Sequence, residues 1–127
     1  MCLAGGLAAC APALDWRDVR PAGTRLQLQF PCRPVAQQRT VVLAGAAVPM
    51  TLQACDADGH TFALALADVG DPARVSPALT ELAAGAARNI GALARPGRTL
   101  ELPGATPNAG NQRIALQGRR PDGRAAQ

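Results

Sequence analysis

The chain has 127 residues, of which 48% are apolar but only 2% aromatic, and its 13 basic residues against nine acidic ones leave a net charge of +4. The length fits one domain, and with only Trp16, Phe30 and Phe62 as aromatics the core must be built from Leu, Val, Ile and Ala. Every basic residue is an arginine, thinly spread apart from Arg113, Arg119, Arg120 and Arg124. That cluster reads either as a surface meeting anionic lipid head groups or as a solvated tail. Nucleic-acid binding, which wants a dense basic face with stacking aromatics, is excluded.

The first ten residues are uncharged and end in Leu7-Ala8-Ala9-Cys10. They fall far short of the roughly 20 apolar residues that span a bilayer. Leu-Ala-Ala-Cys is the pattern at which bacterial signal peptides are cut and the cysteine acylated, and Ala8 and Ala9 offer the small side chains that cleavage requires. Residues 1–9 are therefore expected to be a clipped lipoprotein signal peptide, its basic start lying upstream of Met1. Cys10 is the expected lipidation site, and residues 10–23 are expected to hold a tether followed by the domain's first element. More than one acyl chain gives stable attachment, which would hold the rest of the chain at the cell envelope, facing the periplasm. The rival reading of Cys10 is an ordinary thiol in a frayed start.

Removing Cys2 with the signal and acylating Cys10 leaves Cys32 and Cys55, which an oxidising compartment would join as one disulfide. The competing reading is two reduced, buried thiols in a cytosolic protein. Trp16 is expected to dock on the body of the protein. From Thr24 to Phe30, Leu26, Leu28 and Phe30 alternate with polar residues, the mark of a half-buried strand, and Pro31 and Pro34 stop it. Two further strands, Arg39 to Leu43 and Ala47 to Cys55, flank a turn at Ala44-Gly45-Ala46. Asp58-Gly59 signals a tight hairpin, and His60 to Val69 returns with Phe62, Leu64 and Leu66 on one side.

A helix follows, started by Asp71-Pro72 or Ser76-Pro77, each pairing a capping oxygen with proline. Val75, Leu79, Leu82, Ala86, Ile90 and Leu93 form its expected apolar stripe. Gly85 would let it approach the sheet closely, and Arg95-Pro96-Gly97 would end it. Beyond lie a short strand at Thr99 to Leu102, a loop from Pro103 to Asn111, a strand at Ile114 to Gln117 and a hairpin turn at Pro121-Asp122-Gly123. The chain ends where the returning arm of that hairpin should begin, so residues 24–127 are expected to be a single α+β domain, either truncated at its C-terminus or with its last strand left as an open edge. The fold class expected is an antiparallel β-meander with one long helix packed on one face.

Chemistry-bearing motifs are few. Asp56-Ala57-Asp58-Gly59 resembles the start of a calcium loop, but Ala54 and Ala65 occupy positions where ligands are needed. Ser76 is explained by helix capping and lacks a nucleophile elbow. His60 reads as an exposed strand-start residue, and it cannot complete a zinc set with two thiols. Asp68 and Asp71 carry no spacing that would create a shared cleft, and Asp71 is best spent as a cap. No catalytic residue, metal or cofactor is expected.

The motifs Leu14-Asp15-Trp16-Arg17, Phe30-Pro31-Cys32-Arg33-Pro34, Ala54-Cys55, Thr61-Phe62-Ala63-Leu64-Ala65 and Gly70-Asp71-Pro72-Ala73, together with Leu7-Ala8-Ala9-Cys10, carry a resemblance. The whole chain resembles a family of small, mostly uncharacterised lipoproteins of Gram-negative bacteria. Its element order also distantly resembles the small sheet-plus-helix domains of photosystem-associated extrinsic proteins. The lipoprotein resemblance implies sorting to the outer membrane through Ala11, and no activity transfers with it. The expected role is a non-enzymatic binding or envelope-associated module, anchored to the membrane through lipid and contacting an envelope protein. Its candidate binding loop carries Pro103, Asn108 and Asn111. The alternative is a small envelope enzyme or thiol protein using Cys32, Cys55 or His60.

Overall fold

The computed structural model describes residues 13–127. Two short strands, β1 (Arg17–Val19) and β2 (Leu28–Phe30), pair antiparallel with Arg17 opposite Phe30 and Val19 opposite Leu28. Only the end of the alternating run from Thr24 becomes strand. The Thr24 amide and hydroxyl both donate to the Pro21 carbonyl, making a turn that delays the ladder. Exposure accordingly falls from 39% at Leu26 to 3% at Phe30. Trp16 does not dock as expected and stands 58% exposed. The β1–β2 pair is three residues long, and Phe30 and Pro31 fill its covered side.

Pro31 and Pro34 interrupt the chain as expected, and pairing resumes at once in β3 (Val35–Leu43), earlier than the alternation at Arg39 suggests. With β4 (Ala46–Ala57) and β5 (His60–Ala67) it forms a sheet of order β3-β4-β5. The linking turns Ala44-Gly45 and Asp58-Gly59 hold φ of 48° and 77°, and of 49° and 74°. Positive φ at both central residues defines the type I′ turn, whose twist suits a two-residue hairpin. Along β5 the expected alternation holds, with Phe62, Leu64 and Leu66 half-buried between exposed neighbours. In β4 every residue from Met50 to Cys55 is half-buried, so its alternation fades.

Of the two expected helix starts, Asp71-Pro72 is the one used. The Asp71 carboxylate accepts the Ala73 N–H at 2.8 Å, opening a 3-10 turn (Pro72–Arg74) that runs into α1 (Val75–Asn89). Ser76 is not a cap, because it falls inside the first turn of α1, and no side chain caps that helix. Pro77 falls there too, where its missing N–H has no intrahelical partner to lose.

The helix stops at Gly91 and not at Arg95-Pro96-Gly97. Gly91 adopts φ 63°, its N–H donates to the Arg88 carbonyl at 3.1 Å, and the Ala92 N–H donates to the Ala87 carbonyl at 2.8 Å. These are the two bonds of a Schellman ending, which needs a left-handed residue at that position. Leu93 is consequently outside the helix and 80% exposed.

The apolar stripe is also only partly covered: Ala86 is exposed and Leu82 is 38% exposed, while the fully buried helix residues are Ala78 and Ala87. Nine residues are two and a half turns, so these alanines lie on opposite sides of α1. Gly85 has only the Arg88 guanidinium nearby, at 3.8 Å from where a Cβ would sit, so no close approach occurs there.

Beyond α1, β6 (Arg98–Thr99) pairs with β7 (Gln112–Arg113), and β8 (Gly118–Arg119) with β9 (Ala125–Ala126). The expected strand Ile114–Gln117 lies between ladder residues and is not itself a strand. The hairpin at Pro121-Asp122-Gly123 does have a returning arm, β9.

Among the described residues the architecture is thus α+β, mostly antiparallel strands with one α-helix. The chain divides into two compact units. The first takes residues through Arg39 and Met50–Leu66, and the second takes Thr40–Pro49 and Ala67–Gln127. In the first, Phe30 and Pro31 are buried, and Cys32 and Cys55 form a disulfide with Cα atoms 6.0 Å apart. In the second, Leu43, Val48, Ala78 and Ala87 are buried. The division crosses β4 after Pro49, the one residue of that strand without an amide to give.

Candidate functional site

The loop from Pro103 to Asn111, in the second unit, is held by its own polar residues. Pro103 sits in a turn closed by the Ala105 N–H on the Leu102 carbonyl at 3.1 Å. Asn108 is the knot of the loop. Its Oδ1 accepts the Gly110 N–H at 2.7 Å, its Nδ2 donates to the Ser76 hydroxyl on α1 at 3.0 Å, and its carbonyl accepts the Asn111 N–H at 3.0 Å. Asn111 donates from Nδ2 to the Thr106 carbonyl at 3.1 Å and accepts the Leu100 N–H at 2.7 Å. Gln112 adds bonds to the Ala109 carbonyl and from the Gly97 N–H.

Gly110 lets this knot press on the helix. A Cβ there would stand 2.9 Å from Leu79 Cδ1 and 3.0 Å from Asn108 Oδ1, so Leu79 and Asn108 would have to shift to admit one. The loop therefore packs on α1 at Gly110, while the closest backbone approaches fall at Gly118, against the Ile90 carbonyl at the end of α1, and at Gly97, against the Arg113 carbonyl, and not at Gly85.

Held in this way, the loop forms the wall between two open clefts. One, of about 520 Å³, is lined by Asp68, Asp71, Val75, Thr106, Asn108 and Asn111. The other, of about 710 Å³, is lined by Thr99, Glu101, Leu102, Pro107, Asn108 and Asn111. Asn108 and Asn111 thus face both, while Pro103 lines neither.

Asp68 and Asp71 do share a cleft, contrary to the expectation from their spacing, because the loop folds back over the start of the helix. Each spends one oxygen on local backbone, Asp68 on the Gly70 N–H and Asp71 on the Ala73 N–H, both at 2.8 Å. That leaves one carboxylate oxygen apiece, with the Thr106 hydroxyl, for a hydrogen-bonding ligand. Since the two asparagine side chains are committed to the loop itself, they shape the clefts more than they offer free donors.

The remaining candidates resolve simply. Cys32 and Cys55 are bonded to each other, so neither carries a free thiol. His60 is exposed at the start of β5, and its Nδ1 lies 2.8 Å from the Asp58 carbonyl, to which it donates. Asp56 accepts the Thr61 hydroxyl across the Asp58-Gly59 hairpin, which makes this stretch a polar hairpin tip. Among the described residues, no three His, Cys, Asp or Glu side chains converge as a metal site would require. No helix among them is long and apolar enough to cross a membrane. Cys10, the expected lipidation site, lies outside the described residues.

In comparisons with known proteins, no family model matches this chain, and neither a curated protein nor a solved structure matches it.

Proposed function

We propose that the protein is a lipid-anchored component of the bacterial cell envelope. It is attached through Cys10 to the outer membrane, faces the periplasm and acts as a binding module through the Pro103–Asn111 loop. The observation that carries this reading is the run Leu7-Ala8-Ala9-Cys10, with small residues immediately before the cysteine. The Cys32–Cys55 disulfide supports it, since such bonds persist in oxidising compartments and are rare in the cytosol. The fold that accompanies this reading is an antiparallel meander of β3, β4 and β5 with α1 laid on one face. The consecutive strand order and the two type I′ turns speak for the meander.

The loop suits a contact role because its hydrogen bonds hold it in one shape beside two clefts, so a partner meets a preformed surface. The anchor is tested by expressing the chain behind a complete lipoprotein signal in a Gram-negative host. Intact-mass measurement should find Cys10 as the first residue, carrying acyl chains, and Cys10→Ser should leave the membrane fraction. An unmodified Cys10 thiol behind an uncut leader would refute the proposal.

A further inference from the structure

Positive charge is gathered at one end of this chain. From Arg88 onward there are seven arginines against Glu101 and Asp122 alone, whereas the residues before Arg88 carry six arginines and seven acids. All of this basic stretch belongs to the second unit. Asp122 is already paired with Arg124 at 3.2 Å, and the other ion pair among the described residues is Asp15 with Arg17.

Within the stretch, Arg98 and Arg113 stand directly opposite each other in the β6–β7 ladder, and both are exposed. Opposed residues of an antiparallel pair share a face, and like charges so placed repel. An anion between them turns that repulsion into attraction, and guanidinium groups grip phosphate oxygens two at a time. Exposed leucines flank Arg98 in sequence: Leu93 is 80% exposed and Leu102 is 54% exposed.

We propose that this surface of the second unit docks on an anionic lipid bilayer. The Arg98–Arg113 pair takes a lipid phosphate, and Leu93 and Leu102 enter the interface. Arginines that attract anionic head groups and exposed leucines in the same unit supply the two contributions to interfacial binding, charge and buried apolar area. Nucleic acid fits less well, because single strands are held by stacking on aromatic rings and all three aromatics, Trp16, Phe30 and Phe62, belong to the first unit. The proposal does not depend on acylation of Cys10, so it is tested on a chain that cannot be acylated.

The full chain carrying Cys10→Ser is sedimented with phosphatidylcholine vesicles, with and without phosphatidylglycerol. It should partition onto the anionic vesicles alone and leave them as salt is raised. Arg98→Gln with Arg113→Gln should lower partitioning about thirtyfold, while Arg25→Gln with Arg33→Gln, in the first unit, should leave it within about twofold. Leu93→Ser should lower it further, and circular dichroism should show each variant folded. Four results would overturn the proposal: equal binding to neutral vesicles, equal loss in both arginine doubles, full displacement by millimolar inorganic phosphate, or tighter binding to a short DNA duplex than to the vesicles.

Discussion

Ala44 occupies a backbone conformation that its side chain does not favour. Its φ of 48° brings Cβ toward the following carbonyl, a conformation that glycine and asparagine visit at less cost. The Glu81 carboxylate accepts the Ala44 N–H at 3.0 Å and holds the turn in place. At the corresponding position of the other hairpin stands Asp58, a residue type that the type I′ turn accepts. Replacing Ala44 with Asn should therefore raise stability by about 0.5–1 kcal/mol, read as a later midpoint in urea at unchanged slope. An unchanged or earlier midpoint would mean that the turn carries no such strain. Trp16 makes the complementary point about what sequence conveys. Its size argued for burial, yet burial depends on a neighbouring surface, and a three-residue strand pair supplies very little.

At the level of elements, features set by near neighbours were legible and those set by distant residues were not. Asp58-Gly59 marked its hairpin, Phe62, Leu64 and Leu66 marked the inner side of β5, and Asp71-Pro72 was one of two foreseen helix starts. The helix end was misplaced because Pro96-Gly97 is the louder signal, while Gly91 ends α1 through hydrogen bonds that only its backbone angle reveals. Gly91→Ala would force a Cβ into that left-handed position. It should cost about 1 kcal/mol, seen as a lower melting temperature with the far-ultraviolet spectrum retained.

The loop from Pro103 to Asn111 was recognisable from its Pro, Gly and Asn content. The share of Asp68 and Asp71 in its cleft was hidden, since the cleft arises only when Asn108 reaches Ser76 some thirty positions away. The Cys32–Cys55 bond was legible because setting aside Cys2 with the signal and Cys10 with the lipid leaves one pair among four cysteines.

On the scale of the whole molecule, the two units are interleaved along the chain. Thr40–Pro49 belongs to the second unit, yet it lies between segments of the first. The disulfide closes a loop from Cys32 to Cys55 that contains those ten residues, including the buried Leu43 and Val48. Closing a loop of this size removes about 3 kcal/mol of unfolded-state freedom in the entropic account. Replacing both cysteines with serine should lower the unfolding free energy by about that amount. Hydrogen exchange should then quicken at the Leu43 and Val48 amides as well as around residues 32 and 55; if only the latter respond, the bond serves the first unit alone.

This interleaving restricts how the gene can be divided. Neither half of the protein corresponds to an uninterrupted stretch of codons, so no single stop or start codon yields one half intact. Any attempt to produce the arginine-bearing half alone must splice Thr40–Pro49 onto Ala67 through a new linker, and a deletion series from either end would cut into both halves once it passed Arg39 from the front or Ala67 from the back.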